Sequence, residues 1–159
     1  MKLYTTLIIL LFLCSEFTFG QNPPEVENDS YTTELDTPLN VNEANGLLQN
    51  DTDPDGDSLV IISFSINGVE YSAGQNTTFS AGSIIINADG SFIFVPDTDF
   101  TGDVAPISYT ISDGANTSTA FVFINVYQPP IAEDDYDTAD INTTLDVSAP
   151  GVLDNDSAD

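Results

Sequence analysis

From Val60 onward the chain alternates apolar and polar positions. Val60, Ile62, Phe64 and Ile66 are separated by mostly polar neighbours, which predicts a strand with those four side chains on its buried face. Asn67-Gly68 marks a hairpin into Val69–Ser72, and Asp89-Gly90 a second hairpin between Ser83–Asn87 and Ser91–Val95. Ile107, Tyr109 and Ile111 alternate with Ser108, Thr110 and Ser112. Asp113-Gly114 then turns the chain into a long last strand, Ser118–Tyr127. That strand is apolar on both faces, Phe121 and Phe123 against Val122 and Ile124, which places it centrally. Short strands near Asp29–Thr33 and Pro38–Asn42 open the pattern, and Glu43–Gln49 reads as a single helical turn. No stretch sustains a helical period. About seven or eight strands at this spacing predict an all-β fold, a seven- to eight-stranded Greek-key β-sandwich.

The pattern begins again near its end. Pro23-Pro24-Glu25-Val26-Glu27-Asn28-Asp29 returns as Pro129-Pro130-Ile131-Ala132-Glu133-Asp134-Asp135. Thr37, Leu39 and Val41 return as Thr143, Leu145 and Val147, and Gly46-Leu47-Leu48-Gln49-Asn50-Asp51 as Gly151-Val152-Leu153-Asp154-Asn155-Asp156. The period is about 105 residues, the size of one sandwich domain. Residues 21–128 are expected to form one β-sandwich domain. Residues 129–159 are expected to be the incomplete N-terminal part of a second repeat, joined through the stiff Pro129-Pro130 hinge.

The first twenty residues read as an address. Met1-Lys2 is a short positive region, Thr6 to Leu13 an apolar run, and Thr18 and Gly20 are small enough for a cleavage site before Gln21. Residues 1–20 are therefore expected to be a signal peptide. The apolar run is too short for a membrane span of about 18–20 residues. Leu13 is too large for the position before a lipidated Cys14. The expected location is extracellular, secreted or at the cell surface.

Charge then narrows the function. The chain of 159 residues carries a formal charge of −25, with a single basic residue, Lys2, a single Cys and no His or Trp. After residue 20 there is no Lys, Arg or His at all. Phosphates cannot be neutralised, so nucleic acid is not an expected partner. An anionic membrane surface would repel the chain, and no membrane insertion is expected once the leader is removed. Zinc fingers, iron–sulfur clusters and disulfides lack their ligands. Imidazole and amine catalysis is absent, and the carboxylates crowd into turns rather than facing each other across a cleft, so no enzyme is expected.

The most informative segment is Asn50-Asp51-Thr52-Asp53-Pro54-Asp55-Gly56-Asp57. Carboxylates recur at every second residue: Asp51, Asp53, Asp55 and Asp57 are the candidate metal ligands. Calcium takes several hard oxygen ligands, and a tight Gly-containing turn can direct alternate carboxylates inward. Two carboxylates about 5 Å apart at an effective dielectric near 20 repel by roughly 3 kcal/mol, which a bound divalent cation reverses. The loop is not an EF-hand, since Ile62 stands where its last ligand belongs and a strand follows. The plainer reading is a solvated, turn-forming Asp loop. Export and the lack of counter-charge favour calcium. A second acidic stretch, Glu133-Asp134-Asp135, with Asp103 or Glu27 nearby, reads as solvated linker. Asp89 and Asp113 read as turn residues alone.

In order, Asp29-Ser30-Tyr31, Thr37-Pro38-Leu39 and Gly46-Leu47-Leu48 through Asp57 resemble the bacterial cadherin-like tandem repeats of large adhesins. Asn87-Ala88-Asp89-Gly90-Ser91-Phe92, Phe94, Pro96, Phe100, Gly102 and Tyr109 through Gly114 continue the resemblance. It implies a cadherin/immunoglobulin-like sandwich strung in tandem on secreted or surface proteins, with calcium at Asp51, Asp53, Asp55 and Asp57. Ala158 stands where the first unit has Asp53, which departs from the pattern. The function expected is an extracellular calcium-binding adhesin or spacer module, in cell adhesion or a biofilm matrix, with neighbouring repeats of the same chain as partners. The alternative is a calcium-dependent glycan-binding module for extracellular polysaccharide or another cell-surface ligand, or an accessory domain of a larger secreted protein. Tyr31, Tyr71 and Tyr136 are the candidate exposed rings for that alternative.

Overall fold

The structure is a computed structural model describing residues 20–157. Residues 1–19, with Lys2 and Cys14 and all of the expected signal peptide but Gly20, lie outside the described residues, as does Ala158. Ten strands form two sheets: β1 (Asp29–Glu34), β2 (Leu39–Val41), β3 (Val60–Ile66), β4 (Val69–Ser72), β5 (Asn76–Phe79), β6 (Gly82–Ile86), β7 (Phe92–Pro96), β8 (Gly102–Asp103), β9 (Ile107–Ser112) and β10 (Thr117–Tyr127). One sheet has the order β1-β10-β9-β3-β4, with β8 continuing β9's edge along β10; the other has β2-β7-β6-β5. The predicted sandwich is what folds, with β5 and β8 added to the strands the pattern shows.

The core lies between the sheets. Phe64, Ile107, Tyr109, Ile111, Val122 and Val126 meet Ile84, Ile86, Phe92 and Phe94, all fully buried. Alternation along β6, β7, β9 and β10 supplies these side chains, because every second residue of a strand points to one face. The long final strand β10 is central, held between β1 and the β9–β8 edge. Its second apolar face is not covered, however. Phe121 and Phe123 are each 42% exposed and stack on one another with ring centroids 6.4 Å apart.

Strand β3 departs from the simple alternation. Its register against β9 shifts between Ile61 and Ser63, a bulge at Ile62. A bulge inserts one unpaired residue and reverses the facing of everything on its far side. Ile61, Phe64 and Ile66 therefore point inward, while Val60 and Ile62 are exposed. Only half of the predicted buried face is right.

Between β2 and β3 the chain leaves the sheets. Asn42 caps a short 3-10 turn, Glu43–Asn45, its side chain accepting from the Asn45 N–H. Gly46 then passes against the β6–β7 turn so closely that a Cβ there would sit 2.5 Å from the Gly90 carbonyl oxygen. Leu47 donates its N–H to that same oxygen at 3.0 Å and seals the end of the core, fully buried. This docking fixes where the acidic loop begins.

Residues 129–157 lie outside the sandwich core. The N–H groups and carbonyls of Ile131 and Ser157 form an isolated antiparallel bridge, and the Glu133 N–H donates to Asp156 Oδ1 at 2.9 Å. These repeat the Glu25–Thr52 bridge and the Glu27 N–H to Asp51 Oδ1 bond, also 2.9 Å. Leu145, Val147, Val152 and Leu153 are exposed, whereas Leu39 and Val41 are half-buried and Leu47 is fully buried.

Candidate functional site

The acidic loop is tied to the start of the domain. Glu25 and Thr52 exchange two backbone bonds of 2.8 and 2.9 Å. Asp51 Oδ1 then accepts the Glu27 N–H. Beyond this staple Asp53 organises the turn: its Oδ1 accepts the N–H of Asp55 at 2.9 Å and of Asp57 at 3.2 Å, and its carbonyl accepts the Gly56 N–H. An Asx turn of this kind needs a short acceptor at its first position and φ > 0 near its end, and Gly56 takes φ +82°. The sequence therefore folds locally around Asp53, with Pro54 in a bend that needs no amide donor.

Three of the four predicted ligands share one hollow. Asp51, Asp53 and Asp57 line an open depression of about 950 Å³ together with Glu43 and Asp89. The Oδ2 atoms of Asp51, Asp53 and Asp57 are shielded from solvent and have no hydrogen-bond partner. A buried carboxylate oxygen without a donor is costly, and three in one loop is an arrangement that needs a counter-charge. Asp55 is placed differently. It is exposed and turned toward Asn22, whose backbone N–H and side-chain amide both donate to it. Glu43 and Asp89 come from other loops and were not singled out by the spacing. Asp89 Oδ1 is engaged by the Ser91 N–H and hydroxyl, which hold its carboxyl below the usual carboxylate range.

Burial dominates the electrostatics next to this hollow. Desolvation pushes the Asp51 carboxyl up to about 6, opposed by the Glu27 N–H bond and reinforced by the charges of Asp29 and Glu27. Asp29 is also raised by burial, with hydrogen bonds from Tyr109 and Asn50 working against the shift. Tyr109, buried and facing these carboxylates, is held far above its ordinary range.

The donor set fits a hard divalent cation: anionic oxygens, unpaired, on a chain without basic side chains after residue 20. The donors share the hollow without converging. Among the described residues, no three acidic side chains form a ready-made cation cluster.

The aromatic candidates are redistributed. Tyr31 is half-buried, edge-on to Phe92 at 4.9 Å, with its hydroxyl on the Asn45 carbonyl. Tyr71 stacks on the core residue Phe64. Only Tyr136 is open, at 90% exposure. The exposed rings of the sandwich are Phe121, Phe123 and Tyr127, and a groove of about 430 Å³ beside Phe123 is lined by apolar Val104, Pro106 and Ile124 as well as polar Ser30, Asp103 and Asn125.

The family model for the bacterial cadherin-like domain matches residues 21–128. No curated protein matches the chain. Among solved structures, a nucleoside hydrolase-related hypothetical protein from Saccharophagus degradans that is associated with carbohydrate metabolism is similar at 19% identity, over 67% of this chain and 26% of that one, with a TM-score of 0.45. Dscam, in a structure concerned with isoform specificity, is similar at 13% identity over 70% of this chain and 26% of its own, with a TM-score of 0.38. The N-terminal four Ig domains of Dscam1 give the same identity and coverage and a TM-score of 0.37. The chain thus spans 26% of the length of each of these structures.

Proposed function

Because this chain belongs to the family of bacterial cadherin-like domains, we propose that it is an extracellular adhesion or spacer module of a tandem-repeat surface protein, stiffened by calcium at its acidic loop. Domains of this family are non-catalytic, typically extracellular or surface-borne, and generally bind calcium. No helix among the described residues is long and apolar enough to cross a membrane.

The observation that carries the calcium reading is the set of orphaned, shielded oxygens on Asp51, Asp53 and Asp57. These three would hold the ion, with Glu43 and Asp89 as further acidic lining, while Asp55 is turned away toward Asn22. Calcium would supply positive charge and fix oxygen positions, and no bond-making chemistry is asked of it. Asp51 is stapled to Glu27, so holding the loop also holds the incoming chain. Neighbouring repeats are the partners this reading supplies, and the recurrence of the staple at Glu133 and Asp156 supports it.

The test is a thermal melt with chelator, calcium, magnesium and matched sodium chloride. Calcium at about 100 times its Kd adds roughly 2.7 kcal/mol, several degrees for a domain of this size. An equal rise with matched sodium identifies charge screening and removes calcium from the proposal.

A second reading, glycan binding by the sandwich face, is favoured by the exposed Phe121–Phe123 pair and the groove of mixed apolar and polar lining beside it. Exposed aromatic faces next to amide and hydroxyl groups suit the apolar and polar sides of a sugar ring. Glycan arrays with wild type and Phe123→Ser separate it from the spacer reading.

A further inference from the structure

The segment that leads into the sandwich and the strand that leads out lie side by side and run in the same direction. Six residue pairs join β1 to β10 in parallel, from Asp29 with Val122 to Glu34 with Tyr127. The contact continues beyond the ladder at both ends. Upstream, the Asn116 side-chain amide donates to the Gln21 carbonyl at 3.1 Å, and the Ser118 hydroxyl to the Pro24 carbonyl at 2.6 Å. The Phe121 N–H donates to Asn28 Oδ1 at 2.9 Å. Downstream, the Leu35 N–H donates to the Tyr127 carbonyl at 2.8 Å. Gln21 to Leu35 is thereby sewn along Asn116 to Tyr127.

We propose that this seam is a mechanical clamp, which lets the domain transmit tension between its two ends without unfolding. Tension applied through the chain pulls β1 toward its N-terminus and β10 toward its C-terminus. Because the two strands are parallel neighbours, these pulls oppose one another along the strand axis. The seam is loaded in shear, and its bonds must give way together. In a hairpin such as β3–β4, pulling on the two free ends loads one bond at a time. The strand on the exit side is also anchored, since β10 pairs with β9 over six residues and with β8 over two. Val122, Ile124, Val126 and Thr33 are buried along the seam's inner face, so water is kept from competing for its bonds. The Glu25–Thr52 bridge and the Asp51 staple add a second tie to the incoming segment.

This deepens the spacer reading, on which the direction of the load rests, and the geometry of the seam stands apart from any cation. The experiment is single-molecule pulling in chelator. In one attachment, handles sit at the N-terminus and at Gln128→Cys, which shears the seam. In the other, handles sit at the N-terminus and at Ala115→Cys, in the β9–β10 turn beside Gln21, which peels it. Both use the chain from Gln21 onward, which carries no other cysteine. At equal pulling rate the sheared geometry is expected to unfold at clearly higher force. The Asn28→Ala, Ser118→Ala pair lowers the shear force by more than the peeling force, because shear loads these bonds together with the whole ladder. Ser63→Ala, which removes a bond to Glu70 away from the seam, changes neither. Equal forces in the two geometries overturn the clamp, as does a pair of seam substitutions that lowers both forces alike. A calcium titration without effect leaves the clamp standing, and equal forces leave the calcium titration untouched.

Discussion

The Tyr109 hydroxyl donates to Asp29 Oδ2 across 2.5 Å, linking the middle strand β9 to the first residue of β1. The reach passes over β10, where the residue paired with Tyr109 is the small, buried Ala120. The hydroxyl also lies 3.3 Å from the carbonyls of Glu27 and Leu47. One phenol thus ties together the incoming segment, the buried end of the core and the acid that begins β1. Tyr109→Phe leaves a buried carboxylate short of its donor. The expected cost is about 1–3 kcal/mol, read by urea denaturation, with a midpoint on heating lowered by roughly 4–8 °C for each kcal/mol. Asp29→Asn in the same background restores part of the loss, because the neutral amide tolerates the buried site better.

Stability in chelator falls as pH rises through the acid range. Burial pushes the folded Asp51 carboxyl up to about 6, from the 3.8 of an ordinary aspartate. Below the lower value both states are protonated and no penalty exists. Between the two values the unfolded chain ionises first and gains stability. The fold therefore loses stability from about pH 4 to about pH 6 and is level above that. Asp29, also raised by burial, works in the same direction. Denaturation midpoints across this range in Asp51→Asn are expected to show a flatter profile, while an unchanged profile in that variant contradicts the assignment.

The four aspartates of the loop are not equivalent for calcium. Asp57→Asn removes charge from an unpartnered oxygen and leaves the Asx turn of Asp53 intact. It is expected to weaken calcium binding by at least about tenfold, roughly 1.4 kcal/mol, in titration calorimetry. Asp55→Asn, turned toward Asn22, changes affinity by less than about threefold. The reverse ranking places the ion on the outer side of the loop.

Gly46→Ala tests the docking that starts the loop. Its Cβ would sit 2.5 Å from a backbone oxygen of Gly90, which cannot swing away as a side-chain tip can. Forced repacking of this kind costs typically about 1–3 kcal/mol. Thermal melts of Gly46→Ala against the wild type read this cost, and an unchanged midpoint contradicts the close approach.

Much of the sandwich was legible because its strands alternate and its hairpins carry Asn67-Gly68, Asp89-Gly90 and Asp113-Gly114. The failures have local causes. The bulge at Ile62 reverses the inward face of β3, and nothing in a run of Val, Ile, Ile and Ser marks where it falls. Strand β5, Asn76–Phe79, is mostly polar because it is an edge strand with little to bury, and β8 is only two residues long. At the acidic loop, every-second-residue spacing describes an extended chain. The turn around Asp53 breaks that geometry and sends Asp55 outward. Glu43 and Asp89 reach the hollow through the Gly46–Gly90 approach, a contact between distant loops that spacing cannot show. Phe121 and Phe123 read as core because they are Phe, yet they occupy the face of β10 that no second sheet covers.

The pairing of β1 with β10 also sets an order of assembly. The first strand of the unit finds its partner in the last, so the six-residue ladder cannot form until nearly the whole unit has been synthesised. Contacts of such long range close slowly. A ribosome or an export channel delivering the chain from its N-terminus therefore handles a thread whose outermost seam is still open. The domain locks only when Tyr127 has emerged, on whichever side of the membrane that happens.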